Sequence, residues 1–358
     1  MTRLIAYNWL NAPLAIPNAE IGRLAQLRQM QLTKPPGALG RLEEVAIRLA
    51  AMQNTVKPDV KQVHITIFAG DHGIATEGVS AFPQSVTSEM IKNFEQGGGA
   101  INVLARMLDA ELEIVNLGTV LDVQTPDDSV KHYFLGPGTA NFSREPAMSQ
   151  EQLNMALAAG YDAIERARHT DNQLFIGGEM GIGNTASATA LACLLLNEQP
   201  IRLTGAGSGL DHAGVMRKAS IISHALGLHK PHIHSPLDAL RYVGGFEIAA
   251  LAGAYLHGAQ IGMPMLVDGF ISTVAALTAE RISPGCIRWF IFSHRSAEPG
   301  HGIVLAAIEG KPLIALDMRL GEGSGAAVAV NLLRMACKLH NEMATFSEAR
   351  ISQKIDAS

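Results

Sequence analysis

Two hydrophobic periods alternate along the chain. Residues from about Ile21 to Gln53 carry the three-to-four spacing of two helices, broken at Lys34-Pro35-Pro36-Gly37, where paired prolines and a glycine exclude helix. From Val63 the pattern changes to β-branched and apolar residues ending in a polar loop, VHITIFAGDHG, which predicts a strand. A loop containing Phe82, Pro83 and Ser85 then leads into a helix, interrupted by glycines at 97 to 99. ELEIVNLGT (111 to 119) predicts a second strand, and Pro126 to Pro146 reads as irregular. Ser149 and Gln152 form a Ser-x-x-Gln capping box that opens a helix running to about Arg168.

The strand, glycine loop and helix then recur as one unit. NQLFIGGEMGIGNTASATALACLLL contains all three, and TGAGSGLDHAGVMRKASIISHAL repeats the loop and helix. FEIAALAGAYLHGAQ predicts a buried helix, and MPMLVDGFISTVAALTAE a strand, Asp268-Gly269 and a helix. RWFIFSHRSAEPGH is a strand ending in Ser293, His294, Arg295 and Ser296. PLIALDMRLGEGSGAAVAV then reads as a buried strand (Leu313 to Leu316), a glycine loop holding Glu322, and a helix from Ala326 to about Phe346. This succession predicts six strands in a doubly wound parallel sheet, whose ligands collect beyond the strands' carboxyl ends. No fixed repeat period marks a solenoid.

Composition narrows the function. At 358 residues and 47% apolar, the chain suits one large domain with a smaller satellite. Charged residues are 17% and net charge is -5, which lacks the basic footprint of a nucleic-acid binder and points to a small partner. Cys193, Cys286 and Cys337 are odd in number and set far apart, so neither a disulfide framework nor a zinc site is indicated and a reducing cytoplasm fits. Asn8, Asn11 and Pro13 interrupt any signal-peptide core, and the most apolar run, Ala186 to Leu196, falls short of the roughly 20 residues of a membrane span.

GEMGIGNTAS (178 to 187) places successive backbone N–H groups and two hydroxyls at a helix start, an arrangement suited to phosphate, although it matches neither the Walker nor the dinucleotide pattern. GAGSG (205 to 209) is a second such loop; either alone is as readily a tight turn. Glu179 and Glu322 both fall at strand ends. Two neighbouring carboxylates raise one another's proton affinity and so make a useful base near neutrality, whereas each alone would serve its own loop. Asp71, His72 and His294 allow a metal-dependent hydrolase of a phosphorylated metabolite, but lack metal-ligand spacing. A non-catalytic nucleotide sensor would leave both acids idle. Met263 and Met265 read as core.

TKPPGALGRLE, FAGDHGIATEGVSAFPQSVT, GGGAINVLAR, GEMGIGNTASA, GAGSGLD, DGFISTVAAL, SHRSAEPGH and LGEGSGA occur in this order and together resemble the nicotinate-nucleotide–dimethylbenzimidazole phosphoribosyltransferases. The resemblance implies a six-stranded parallel Rossmann-like sheet with helices on both faces (61–330) and a small helical domain from both chain ends (1–60 and 331–358). It also implies a homodimer that takes nicotinate mononucleotide and dimethylbenzimidazole or a related base, with no cofactor or metal, in keeping with the cytoplasmic cysteine usage and with the composition's case against nucleic acid and membrane. Carried onto this chain, it makes Glu322 the general base and Glu179 an assisting acid, and it sets Ser85 in the benzimidazole segment. Gly181, Gly183, Asn184, Thr185, Gly205 and Gly207 would surround the nucleotide, with Lys218, Asp268 and Ser296 lining the cleft. Relatives often carry arginine where this chain has Ala206, which touches only a peripheral contact.

Overall fold

The computed structural model describes residues 7–125, 129–170 and 173–352. The readings that touch Met1–Ala6, Pro126–Asp128, Asn172 and residues 353–358 fall in part outside the described residues. Six strands are described: β1 (Val63–Gly70), β2 (Glu111–Gly118), β3 (Val130–His132), β4 (Leu174–Met180), β5 (Met265–Val267) and β6 (Phe290–Phe292). All pair in parallel, in the order β3-β2-β1-β4-β5-β6. The chain winds outward from β1 through β2 to β3, then returns beside β1 as β4. The switch point lies between the carboxyl ends of β1 and β4, where a doubly wound sheet opens its ligand crevice.

Both faces are covered, and β1 is accordingly buried along its whole length. Successive residues of β4 show the two covers. A Cβ added at Gly177 would meet Leu251 and Tyr255 of the Phe246–Ile261 helix, whereas one at Gly178 would meet Glu322, just before the Ser324–Glu342 helix. On the first face, Gly160 and Gly253 let the Gln150–His169 and Phe246–Ile261 helices approach backbone to backbone: a Cβ at either would collide with the other helix's main chain. Ser149 caps the former helix through the reciprocal bonds that the sequence predicts.

The chain ends meet around the Ser324–Glu342 helix. Arg28, in the Ala19–Gln31 helix, donates from Nε to His340 O at 2.8 Å, and Gln29 Nε2 lies 2.9 Å from His340 Nδ1. The proline elbow is closed by a buried Lys34–Glu43 ion pair at 2.8 Å. Among the described residues no helix is long and apolar enough to cross a membrane.

Two expected elements differ. Leu313–Leu316 is no buried strand: only Ile314 bridges to His294, and Leu316 is 58% exposed. The segment follows Pro312 at the sheet's outer edge, where it has one neighbour; Leu313 and Ile314 pack half-buried on the core while Ala315 and Leu316 stay exposed. The sixth strand is instead β3, inside the stretch read as irregular. Its three residues, opposite Ile114–Asn116, are too few to establish an alternation. The last long helix also stops at Glu342, because Met343 turns extended and Ala344 O accepts from Thr33 N at 3.0 Å.

Candidate active site

The loops beyond the strand ends enclose a cavity of about 410 Å³. Glu179, the penultimate residue of β4, enters it. Glu322 enters from a left-handed arc, Gly321–Glu322–Gly323, with φ of 87°, 62° and 74°. Glycine takes that conformation freely and glutamate does not, so the arc is held from outside. Glu322 N donates to Glu179 O at 3.3 Å, Ser324 Oγ to Gly321 O at 2.7 Å, and Ala326 N to Asp268 Oδ1 at 2.8 Å. The first bonds β4's end to the arc; the last ties the helix that follows it to β5's end.

The two acids are buried, at 6% and 5% exposure. Burial, reinforced by the charges of Glu247, Asp268 and Glu322, pushes Glu179 well above the usual carboxylate range, against a hydrogen bond from Asn184. Burial likewise raises Glu322, with Asp268 adding to it and the Ile101 backbone N–H opposing. Glu322 Oε2 has no hydrogen-bond partner among the described residues. Burial also raises Asp268, whose Oδ1 lies 3.6 Å from His294 Nε2. A carboxyl set so is a proton acceptor with unspent capacity at higher pH than a surface glutamate.

Gly181, Gly183, Asn184 and Thr185 line the cavity at the start of the Asn184–Leu196 helix. Gly183 has φ of 97°, and a Cβ there would lie 3.3 Å from His72 Cβ. Gly207, Asp268 and Ser296 line it too, but Ser85, Gly205 and Lys218 stand just outside. Lys218 lies behind the loops: its Nζ donates to Thr185 Oγ1 at 2.7 Å, and burial lowers its amine to about 8. In the Ser85 segment the lining falls instead to Ser80, Phe82, Val86 and Met90. Glu298 and Arg319 also line the cavity without having been singled out; Glu298 Oε1 accepts from Gly207 N at 3.1 Å, and Arg319 Nη1 donates to Gly207 O at 3.1 Å. Their signal was position, since Glu298 follows β6 within the quoted SHRSAEPGH motif.

Asp71, His72 and His294 do not converge. His72 Nδ1 lies 2.9 Å from Ser187 Oγ and Nε2 lies 2.7 Å from Glu247 Oε1. This has the order of a nucleophilic triad, but none of its three members lines the cavity, so the set braces the floor beneath Gly181 and Gly183. Asp71 Oδ2 accepts from Val120 N at 2.9 Å, and His294 faces Asp268. Among the described residues no group of three His, Cys, Asp or Glu is placed to hold a metal ion.

The fold and cavity define an α/β protein whose small-ligand site sits at the switch point of a parallel sheet, with two buried carboxylates at its centre. Residues 14–351 match a family model, DBI_PRT, described as phosphoribosyltransferase, and the chain belongs to that family. A relative from Xanthomonas axonopodis pv. citri, named nicotinate-nucleotide–dimethylbenzimidazole phosphoribosyltransferase, is 56% identical over 96% of this chain and 99% of its own. One of the same name from Pseudomonas putida is 56% identical over 97% and 98%. The crystal structure of CobT from Thermus thermophilus superposes with a TM-score of 0.89 at 43% identity, covering 94% of this chain and 100% of that one.

Proposed function

We propose that this protein transfers the phosphoribosyl group of nicotinate mononucleotide to 5,6-dimethylbenzimidazole, giving α-ribazole 5'-phosphate and nicotinate for the nucleotide loop of cobalamin. Near-full-length identity to relatives of that name supports the reaction. The observation that carries the chemistry is the pair of buried, proton-hungry carboxylates beside two glycine loops.

Nicotinate mononucleotide already carries a pyridinium leaving group, so departure from C1′ needs no general acid. It leaves an oxocarbenium-like centre, which the crowd of carboxylates favours electrostatically. One benzimidazole ring nitrogen forms the new bond to C1′ as the bond to nicotinate breaks. Glu322 accepts the proton from the other ring nitrogen, and the product leaves neutral at the ring. Glu179 is the assisting acid, the second buried carboxyl group lining the same cavity. Phe82, Val86, Met90 and Leu320 form an apolar slot for the ring, while Gly181–Thr185, Gly207 and Ser296 take the ribose phosphate, with Lys218 supplying charge from behind. Here Asp268 acts by fixing the Glu322 arc as well as by facing the ligand.

The working form in this proposal is a cytoplasmic homodimer, each chain divided into a sheet domain (61–330) and a helical unit from residues 1–60 and 331–358. The contacts of Arg28 and Gln29 with the last long helix support that division. Mixing the protein with nicotinate mononucleotide and dimethylbenzimidazole, and reading α-ribazole phosphate and free nicotinate by mass spectrometry, tests the reaction. Nucleotide binding without either product would reject it.

A further inference from the structure

The SHRSAEPGH segment after β6 ends on a second histidine, His301, which opens the His301–Ala307 helix and to which the chemistry above gives no role. Its ring is fully buried and bonded at both nitrogens. Ser296 N donates to Nδ1 at 2.8 Å, and Nε2 lies 3.0 Å from Thr273 Oγ1. A backbone N–H must meet a lone pair, so Nδ1 is the acceptor and the ring proton sits on Nε2. Thr273 then accepts that proton and sends its own hydroxyl hydrogen to Gly269 O at 2.7 Å. Every polar atom in the run is assigned by its neighbour. Burial holds the imidazole neutral, pushing it down to about 3, with His294 and Arg295 adding to the effect.

The run connects two walls of the cavity, because Gly269 and Ser296 both line it. It also reaches a third. His301 N donates to Glu298 O at 3.0 Å, Glu298 N donates to Ser296 Oγ at 3.3 Å, and Gly207 N donates to Glu298 Oε1 at 3.1 Å. Ser296 is thus held at its backbone by His301 and at its hydroxyl oxygen by Glu298, which leaves the hydroxyl hydrogen free to donate into the cavity. The loops after β5 and β6 and the GAGSG loop are one hydrogen-bonded frame.

We infer that His301 is a positioning residue for nucleotide recognition: through Thr273 and Glu298 it locks Ser296 and the GAGSG loop into the geometry that grips the ribose phosphate. This rests on the proposed reaction. It assigns to His301 no contact with substrate and no proton transfer.

The test compares His301→Leu, His301→Asn and Thr273→Val with the unaltered enzyme, measuring kcat and both KM values together with thermal stability. Leucine leaves the buried Ser296 N–H unpaired, and the nucleotide KM is expected to rise about tenfold to a hundredfold, with the benzimidazole KM and kcat within about threefold. Asparagine offers an oxygen close to the Nδ1 position and should recover most of that loss. Thr273→Val cuts the run at its far end and should raise the nucleotide KM by a smaller factor, about threefold; it also serves if the leucine variant does not fold. An unchanged nucleotide KM in folded Thr273→Val, or a lowered melting temperature in folded His301→Leu with kinetics intact, would show a purely structural histidine and overturn the inference. Equal damage to kcat and both KM values would overturn it too. Absence of product from the unaltered enzyme would instead reject the reaction, and the frame would then be judged by calorimetric affinity for nicotinate mononucleotide in the same variants.

Discussion

Replacing Glu322 by glutamine removes the proposed base and little else. The side chain is 5% exposed, its Oε2 has no hydrogen-bond partner among the described residues, and the amide matches it in volume. The fold is therefore expected to survive. Stability should even rise slightly at neutral pH: burial raises the folded pKa of Glu322, and a group raised in this way loses its stabilising contribution as pH climbs through that value. A general base contributes about 100- to 10,000-fold in rate. Glu179 is a poor replacement, because Asn184 engages it and burial with three acidic neighbours keeps its proton on to still higher pH. We therefore place the loss of kcat in the middle of that range, about 1,000-fold or about 4 kcal/mol in the barrier. The assay is steady-state formation of α-ribazole phosphate against pH. The unaltered enzyme should show an acid limb above the ordinary glutamate value of about 4.3, and the variant should lack it. A folded Glu322→Gln enzyme with near-normal turnover and the same limb would refute the assignment.

Three further outcomes follow from the same geometry. Gly183→Val places a branched side chain at a φ of 97°, with its Cβ 3.3 Å from His72, and should weaken nicotinate mononucleotide binding by about tenfold or more; unchanged calorimetric affinity would rule out the loop as the phosphate cradle. In the double-mutant cycle, Glu179→Ala alone should cost little while Glu322→Ala keeps a residue of activity that the double variant loses; strictly additive losses would make the acids independent. Far from the cavity, Arg166 donates to Glu113 at 2.7 Å and 3.0 Å, and burial notwithstanding, His64 and Arg166 hold Glu113 down to about 2 from 4.5. Its stabilisation is present above about pH 4.5 and lost as pH falls through about 2, so the stability gap between the unaltered protein and Glu113→Gln, on the order of 3 kcal/mol by urea unfolding at neutral pH, should close over that window.

The parts of the fold that were legible in the sequence are those whose local pattern and final environment agree. β1, β4 and the Gln150–His169 helix are long, periodic and capped, and appear where the pattern puts them. Val130–His132 was hidden because three residues carry no period, and Leu313–Leu316 misled because an apolar run beside a glycine loop looks like a buried strand from either side. Glu179 and Glu322 stood out for a related reason: an acid among glycines has no helix face or core position to explain it, and both side chains line the cavity, although Glu322 follows no strand. Ser85 shows the limit: its segment reaches the cavity, but the Ser85–Glu95 helix turns Val86 and Met90 toward it and leaves Ser85 outside the lining. A motif in sequence specifies a loop; which side chain looks inward depends on the packing of its neighbours.

The division of the cavity bears on how such a site can change. Its apolar slot comes largely from Phe82, Val86 and Met90, after β1, with Leu320 from the exposed edge segment. Its donors come from loops after β4, β5 and β6, cross-linked through Glu298, Thr273 and Glu179. The two sets also touch: Ala81 N donates to Ser208 Oγ at 3.2 Å and Ile182 N to Thr87 Oγ1 at 3.1 Å, so the apolar lining is braced by the donor loops. In the proposed reaction the apolar lining and the donor loops meet at Glu322, whose carboxylate would reach the ring while its backbone is held by Glu179. On that proposal any ring that presents an N–H to the carboxylate meets the chemical requirement, and fit against Phe82, Met90 and Leu320, which line the cavity, would decide which ring is taken.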